Sequence, residues 1–347
     1  MVAWLPGASW WYRLAVGSVI AVVTVSSAGC AQETAAVADE TVNGGVIRVA
    51  SFSSAQPGWD VTIPEFAGAD SAAFAAAEAS AREVKAEFAS SREVVTAILE
   101  GQQADIAHLA DADDMAELVD AELVPADWDN GVTGGYPVTS VATMVVRGGN
   151  PRGIRDWPDL LQPGLEVITP NPASVGSGRW ALLAAYASAS QGNQDPEAGH
   201  DYLRRLILEH IALGPSTVQG ATEDFVSGRG DVLLLSEASA TNIVRKGLAV
   251  EQVLPPQTVQ MDFPVAVTNA GLEKADASEL VQFMFSSRGQ QLWAQAGFRP
   301  SAPVPDVAFP TTERVWTIAE LGGWNVVGPR YFGANGFITE LFDMATQ

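Results

Sequence analysis

The chain has 347 residues, 47% of them hydrophobic, and is therefore long enough to bury more than one hydrophobic core. It carries 41 Asp plus Glu against 19 Lys plus Arg, which gives a formal net charge of −22 at pH 7. Nucleic acids and anionic membrane surfaces would repel such a chain at long range, which excludes both as partners.

Residues 1–30 have the pattern of an export signal. Arg13 is the only charged residue among them, and the apolar core from Leu14 to Val25 is too short to span a membrane comfortably. The sequence Ser-Ala-Gly-Cys at 27–30 resembles a bacterial lipobox, in which the cysteine is lipidated. We therefore predict a signal peptide with a lipidated Cys30. The alternative is a simple secretory signal that is cut nearby.

A flexible tether is predicted over residues 31–45, which are rich in Ala, Thr, Glu and Gly and show no periodicity. Strands and helices then alternate, which indicates a parallel, doubly wound sheet. Ser51–Ser54 forms a polar loop at the end of the first strand, where ligands collect in such sheets. The pattern predicts strands over 46–50, 84–88 and 104–109, a helix over 71–85, and a helix from Ser90-Ser91 to about 102 with Ser91 as its N-cap.

A second lobe is predicted to begin after a strand over 141–147. Its elements are a short helix at 156–161, helices over about 179–191, 196–211 and 220–226, and a strand over 231–235. Residues 253–267 mix strand and turn and would return the chain to the first lobe. An amphipathic helix over 278–296 and a terminal helix within 317–347 complete the pattern. The first lobe then comprises 46–146 and 258–347, and the second comprises 147–257.

One segment of the second lobe has the features of an anion site. In residues 167–186 an apolar strand, a turn rich in Pro, Asn, Ser and Gly, and a helical pattern follow one another. The first N–H groups of a helix lack partners within it, and the helix dipole favours negative charge there. Gly176 and Gly178 allow a close approach of the backbone, and Ser174 and Ser177 can add hydroxyl donors. An ordinary capped turn is the alternative interpretation.

Several motifs in the chain carry a family resemblance through their order and spacing. They are Glu100–Ile106, Gly149–Trp157, Val167–Pro172 with Arg179-Trp180, Gly228–Leu233, Gly289–Gln291 with Arg299-Pro300, and Phe332-Gly333. Together they resemble the sulfate-binding proteins, the receptors of bacterial ABC importers. The resemblance implies two doubly wound α/β lobes joined by crossing strands, a periplasmic-binding-protein fold of type II. These lobes would close on a dehydrated oxyanion held by N–H and hydroxyl groups.

The resemblance also implies a set of ligand-binding residues. The serine of the family's first lobe falls on Ser91 and is kept. The family loop Ser-Gly-Gly-Ala-Arg-Trp corresponds to 175–180, where Val175 lacks the hydroxyl but the backbone donors remain. A family aspartate, a backbone donor and a tryptophan fall on Ser53, Val218 and Ser236. The predicted set is Ser91, Gly176, Ser177, Gly178, Ser236, Ser53, Val175 and Val218.

We therefore predict an exported binding protein, not an enzyme, which captures sulfate or thiosulfate between its lobes and delivers it to a membrane permease. It would be monomeric, either periplasmic or lipid-anchored on the outer face of the cytoplasmic membrane. Its only contact with the membrane would be the lipid anchor. Another oxyanion, such as molybdate or phosphate, is an alternative ligand. A secreted α/β hydrolase or transferase, and a former receptor kept as a sensor or scaffold, are alternative functions.

No cofactor or metal site is predicted. The single cysteine and the three histidines are not at metal-ligand spacing. We interpret His108 as a satisfied buried histidine and Arg179 as the partner of a nearby carboxylate. The aspartates at 111, 113 and 114 lack the glycine and distal glutamate of an EF-hand loop, so we interpret them as a solvated acidic surface. No Gly-x-Ser-x-Gly elbow surrounds the serines at 51–54, which argues against hydrolysis.

Overall fold

The computed structural model describes residues 45–68, 82–131 and 134–345. The predicted signal peptide with Cys30 lies outside these residues, as do nearly all of the predicted tether and most of the predicted helix over 71–85. Within the described ranges, no helix is both long and apolar enough to cross a membrane.

The described part of the chain contains twelve strands and eleven α-helices. The strands are β1 Ile47–Phe52, β2 Val84–Ala89, β3 Ile106–His108, β4 Val138–Arg147, β5 Val167–Thr169, β6 Ile211–Leu213, β7 Val232–Ser236, β8 Val250–Val253, β9 Gln257–Phe263, β10 Val265–Val267, β11 Arg299–Pro300 and β12 Arg314–Trp316. The helices are α1 Gln56–Gly68, α2 Ser91–Leu99, α3 Ala112–Asp120, α4 Gly176–Ala189, α5 Pro196–Arg205, α6 Val218–Val226, α7 Glu237–Arg245, α8 Ala275–Phe285, α9 Ser287–Gln295, α10 Trp324–Val327 and α11 Phe337–Ala345. Short 3₁₀ turns cover Ser53–Ala55, Trp157–Leu161 and Gly271–Glu273, and π turns cover Leu206–His210 and Gly328–Phe332.

The strands form two sheets, which confirms the predicted α/β class. The smaller sheet has the order β10-β3-β1-β2, with β1 parallel to both of its neighbours. The larger sheet has the order β12-β9-β4-β7-β5-β6, and β5 lies parallel to β6 and β7. The long strand β4 also pairs with β8 and β11.

The chain passes between the two sheets three times: from β3 to β4, from β9 to β10, and from β10 through α8 and α9 to β11. It leaves the smaller sheet after β3 and enters the larger one at β4. It returns at Pro264, because β9 pairs antiparallel with β4 while β10 pairs antiparallel with β3. This change of sheet lies within the range 253–267, where the return was predicted. Both sheets contribute to one buried cluster, which includes Ile47 and Ile106 from the smaller sheet and Met144 and Leu234 from the larger one.

Two of the predicted helices differ in detail from the structure. The N-cap of α2 is Ser90, not Ser91, because the Ser90 hydroxyl accepts the Glu93 N–H while the Glu93 carboxylate accepts the Ser90 N–H. The predicted helix over 278–296 is two helices, α8 and α9. The chain is extended at Ser286, whose hydroxyl accepts the Gly289 N–H and so begins a new helix.

Candidate functional site

Most of the predicted site residues lie where parallel strands end. In the smaller sheet Ser53 follows β1, and Ser91 begins α2 shortly after β2. In the larger sheet α4, α6 and α7 follow β5, β6 and β7. The carboxyl ends of parallel strands share one edge of a sheet, and in open α/β sheets ligands bind at that edge.

At the beginning of α4, the N–H groups of Gly176 and Ser177 have no acceptor among the described residues, whereas the Gly178 N–H donates to the Val175 carbonyl at 3.0 Å. The N-cap of α4 is Val175, whose side chain cannot accept a hydrogen bond, so the first-turn N–H groups receive no side-chain cap. The Ser177 hydroxyl is buried and has no partner among the described residues. A buried polar group without a partner is costly, and a ligand or water that fills this role relieves the cost.

The close packing around α4 explains two of its glycines. A Cβ at Gly178 would lie 2.2 Å from the carbonyl oxygen of Pro170, so no larger residue fits there. A Cβ at Gly176 would lie 2.5 Å from the Ala110 Cβ. The start of α4 is therefore pressed directly against the segment that follows β3.

Ser91 lies on the other side of the same segment. Its hydroxyl oxygen accepts a hydrogen bond of 3.1 Å from the Ala110 N–H, which leaves the hydroxyl proton to donate elsewhere. The Arg92 N–H also reaches the carbonyl oxygen of Ser174, at 3.5 Å. The structure thus brings the predicted residues Ser91 and Gly176 together, with Ala110 between them.

Two of the other predicted residues, Ser53 and Val218, line a cavity of about 830 Å³. Ser53 enters it from the turn after β1, and Val218 from the first position of α6. Ser236 is the N-cap of α7, where its hydroxyl accepts the Ser239 N–H and donates to the Ser239 hydroxyl at 3.0 Å. Ser239 lines the cavity, whereas Ser236 does not. Val175 and Val218 belong to one buried apolar cluster.

Arg179 forms ion pairs with carboxylates, as predicted. Its Nη1 lies 3.4 Å from Asp111 Oδ2 and 3.3 Å from Asp114 Oδ1, and its Nε donates to the Pro172 carbonyl. Asp111 and Asp114 are buried, so the interpretation of this loop as a solvated acidic surface is wrong for both of them. The reason is that α4 covers the loop and supplies the guanidinium.

Asp111 is a residue that the sequence analysis did not place at the site. Asp111 follows β3 as Ser53 follows β1 and Ser91 follows β2. This shared position after a strand could have identified Asp111 from the sequence. Burial raises the pKa of the Asp111 carboxyl to about 7; the Asp114 carboxylate acts in the same direction, and Arg179 opposes both.

His108 is buried, as predicted, but only one of its ring nitrogens has a partner. Nδ1 accepts the Trp59 indole N–H at 3.1 Å and lies 3.4 Å from the Ser51 hydroxyl, while Nε2 has no partner among the described residues. Burial lowers the pKa of His108 to about 3. Ser51 and His108 are both fully enclosed, so the pair cannot reach an external substrate as a hydrolase would require.

The accessible serines after β1 have no histidine beside them among the described residues. Ser53 and Ser54 line the 830 Å³ cavity, and the described residues around that cavity include no histidine. No group of three His, Cys, Asp or Glu side chains in the described ranges is arranged to hold a metal ion.

Known proteins with similar sequences and structures identify the family. Residues 68–299 match the family described as "Bacterial extracellular solute-binding protein". A sulfate-binding protein of Synechococcus elongatus is 30% identical over 85% of this chain and 86% of its own length. A thiosulfate-binding protein of Pseudomonas aeruginosa is also 30% identical, over 71% of this chain and 77% of its own.

Among solved structures, the sulfate-binding protein SubI from Mycobacterium tuberculosis is 40% identical, with a TM-score of 0.76, covering 83% of this chain and 99% of SubI. All three of these relatives are named as binding proteins and none as an enzyme. The family resemblance stated from the motifs is thereby confirmed. The chain belongs to the sulfate-binding protein family of bacterial extracellular solute-binding proteins.

Proposed function

We propose that the protein is the solute receptor of an ABC importer and captures sulfate or thiosulfate at the beginning of α4. The observation that carries this proposal is the buried Ser177 hydroxyl, which has no partner in the described part of the chain and lies beside first-turn N–H groups without a side-chain cap. The names of its relatives support sulfate and thiosulfate as the ligands.

The chemistry of these donors suits a fully ionised oxyanion. Such an anion only accepts hydrogen bonds, so N–H and O–H groups can satisfy it without a positively charged side chain. Each buried hydrogen bond to a charged group contributes about 1.5–3 kcal/mol. Several of them give micromolar or tighter affinity once the cost of closure is subtracted.

Capture by hinge closure fits the chain crossings between the sheets. We place the first lobe at 46–146 and 258–347 and the second at 147–257. The strands β4, β9, β11 and β12 fall mostly in the first of these ranges but pair in the larger sheet, and so would join the two lobes. The proposed ligand-binding residues come from both: Ser53 and Ser91 from the first, and Gly176, Ser177, Gly178, Val175, Val218 and Ser236 from the second. An anion that touches both lobes favours the closed state by its differential affinity.

The proposed cellular setting follows from the N-terminal sequence and the family. The protein is exported and held by a lipid on Cys30, or released after cleavage of the signal peptide. The 31–45 tether would let the folded body reach the permease while it stays near the membrane. It works as a monomer.

Calorimetric titration of the purified, ligand-stripped protein tests the function. Sulfate, thiosulfate, molybdate and phosphate are titrated separately at one ionic strength. Micromolar or tighter binding of sulfate or thiosulfate, with weaker binding of the other two anions, is the expected result. Tighter binding of molybdate or phosphate, or no heat with any of the four, contradicts the proposal.

A further inference from the structure

The C-terminus of α9 is only partly capped by the chain that follows it. The Gly297 N–H donates to the Ala294 carbonyl, and the Phe298 N–H donates to the Trp293 carbonyl, each at 3.0 Å. The end of any helix leaves its last carbonyls without partners inside the helix. The two carbonyls after that of Ala294 therefore need a donor from water or from another part of the fold.

Two side chains of α7 supply these donors. Arg245 Nη1 donates to the Gln295 carbonyl at 2.6 Å, and Asn242 Nδ2 donates to the Ala296 carbonyl at 3.0 Å. The Arg245 bond is also favoured by charge, because a guanidinium at a helix C-terminus faces the negative end of the helix dipole. We call these two hydrogen bonds the α7–α9 contact.

The α7–α9 contact joins the two lobes as we place them. Helix α9 packs in the first lobe, where the centroid of the Trp293 ring lies 5.6 Å from that of Trp59 in α1. Helix α7 packs in the second lobe, where Ile243 shares a buried cluster with Leu235 of β7. The contact therefore depends on how the two lobes are held together.

Helix α7 also connects this contact to the region of the anion site. It follows Ser236, a proposed ligand-binding residue, and Asn242 lines the 830 Å³ cavity together with Ser53 of the first lobe. The lobes touch again at α4, where the Trp180 indole N–H donates to the Ala110 carbonyl. A bond that forms only when the lobes touch stabilises the closed state, even if it does not reach the anion.

We propose that Arg245 is a positioning residue for anion capture, which holds α7 against α9 and so stabilises the closed state without touching the anion. The inference rests on the proposed function. Because the ligand binds the closed state more tightly than the open one, every bond that favours the closed state raises the apparent affinity. Loss of the Arg245 bond leaves the hydrogen bonds of the anion in place and lowers the affinity through the closure step alone.

Arg245→Gln tests the inference by calorimetry with sodium sulfate and by urea denaturation without ligand. The Arg245 side chain is exposed, so the variant should fold. Sulfate affinity should fall about three- to tenfold. The free energy of unfolding of the ligand-free protein should stay unchanged, because the open state lacks the bond. A bond with a structural role alone would lower the stability without ligand and leave the dissociation constant unchanged.

Arg155→Gln is the matched control, since it removes the same charge from another exposed arginine of the second lobe, one that has no side-chain partner among the described residues. It should leave sulfate affinity unchanged. Arg245→Lys, which keeps a charged donor, should retain most of the affinity.

The outcomes separate the inference from the proposed function. Equal losses of affinity in Arg245→Gln and Arg155→Gln would show an effect of net charge. An unchanged dissociation constant in Arg245→Gln would show that the bond does not favour the closed state. Either result overturns the inference and leaves the proposed function standing, whereas absence of sulfate and thiosulfate binding by the unmodified protein contradicts both.

Discussion

The Ser91 hydroxyl accepts a 3.1 Å hydrogen bond from the backbone N–H of Ala110, and this bond joins the beginning of α2 to the segment after β3. The carbonyl of the same Ala110 accepts the Trp180 indole N–H from α4 at 2.8 Å. The segment after β3 is therefore hydrogen-bonded to α2 through the Ala110 N–H and to α4 through the Ala110 carbonyl. Groups that meet there can respond together to a ligand.

Replacement of Ser91 by alanine should weaken sulfate binding. The change removes a buried hydroxyl donor and costs about 1–3 kcal/mol in affinity. Calorimetric titration measures it, and Ser91→Thr, which keeps the hydroxyl, is the control that should retain most of the affinity. An unchanged dissociation constant in Ser91→Ala would remove this residue from the site.

Ser177→Ala should separate ligand binding from folding. The hydroxyl has no partner among the described residues, so its loss leaves the free energy of unfolding of the ligand-free protein unchanged or raises it by about 1 kcal/mol. Sulfate affinity should fall, because the ligand is the missing partner.

Urea denaturation without ligand and calorimetry with sulfate give the two quantities for Ser177→Ala. Ser188→Ala, a buried serine near the other end of α4, is the matched control and should leave sulfate affinity unchanged. A clear loss of stability in ligand-free Ser177→Ala would mean that the hydroxyl has a structural partner.

The sequence predicted the α/β fold and the strand–turn–helix unit of β5 and α4 because both depend on local patterns, namely alternating apolar runs and a Gly-rich turn before a helix. It did not predict α1, because Pro57, Gly58 and Pro64 have a low helix propensity. Tertiary packing, such as that of Gly58 against Trp293, stabilises this helix in the folded protein. It also misread Asp111, since the charge that covers this carboxylate comes from Arg179, 68 residues further along the chain.

Replacement of Arg179 by methionine should destabilise the protein strongly at pH 8. The variant keeps Asp111 and Asp114 buried but removes the guanidinium that faces them, and breaking such a pair costs about 3–5 kcal/mol. The loss should be smaller at pH 6, because the raised pKa of Asp111 lets this carboxyl accept a proton instead.

Denaturant unfolding at the two pH values checks the Arg179 prediction. Arg229→Met is the control: its exposed pair with Asp224 should contribute about 0–1 kcal/mol. Equal destabilisation of Arg179→Met at pH 6 and pH 8 would show that Asp111 does not titrate in this range.

His108 should make the fold sensitive to acid. Burial lowers its pKa from 6.5 to about 3, so the unfolded chain binds a proton between these values and the folded protein does not. The free energy of unfolding should therefore fall as pH decreases from 6.5 towards 3, and His108→Leu should flatten this decline whatever its stability at pH 7. Denaturant midpoints between pH 4 and 7 measure the slope of stability against pH. His200→Gln is the control, because His200 is less buried and its loss should change this slope less. Equal slopes in the unmodified protein and His108→Leu would mean that the folded protein protonates His108 as readily as the unfolded chain does.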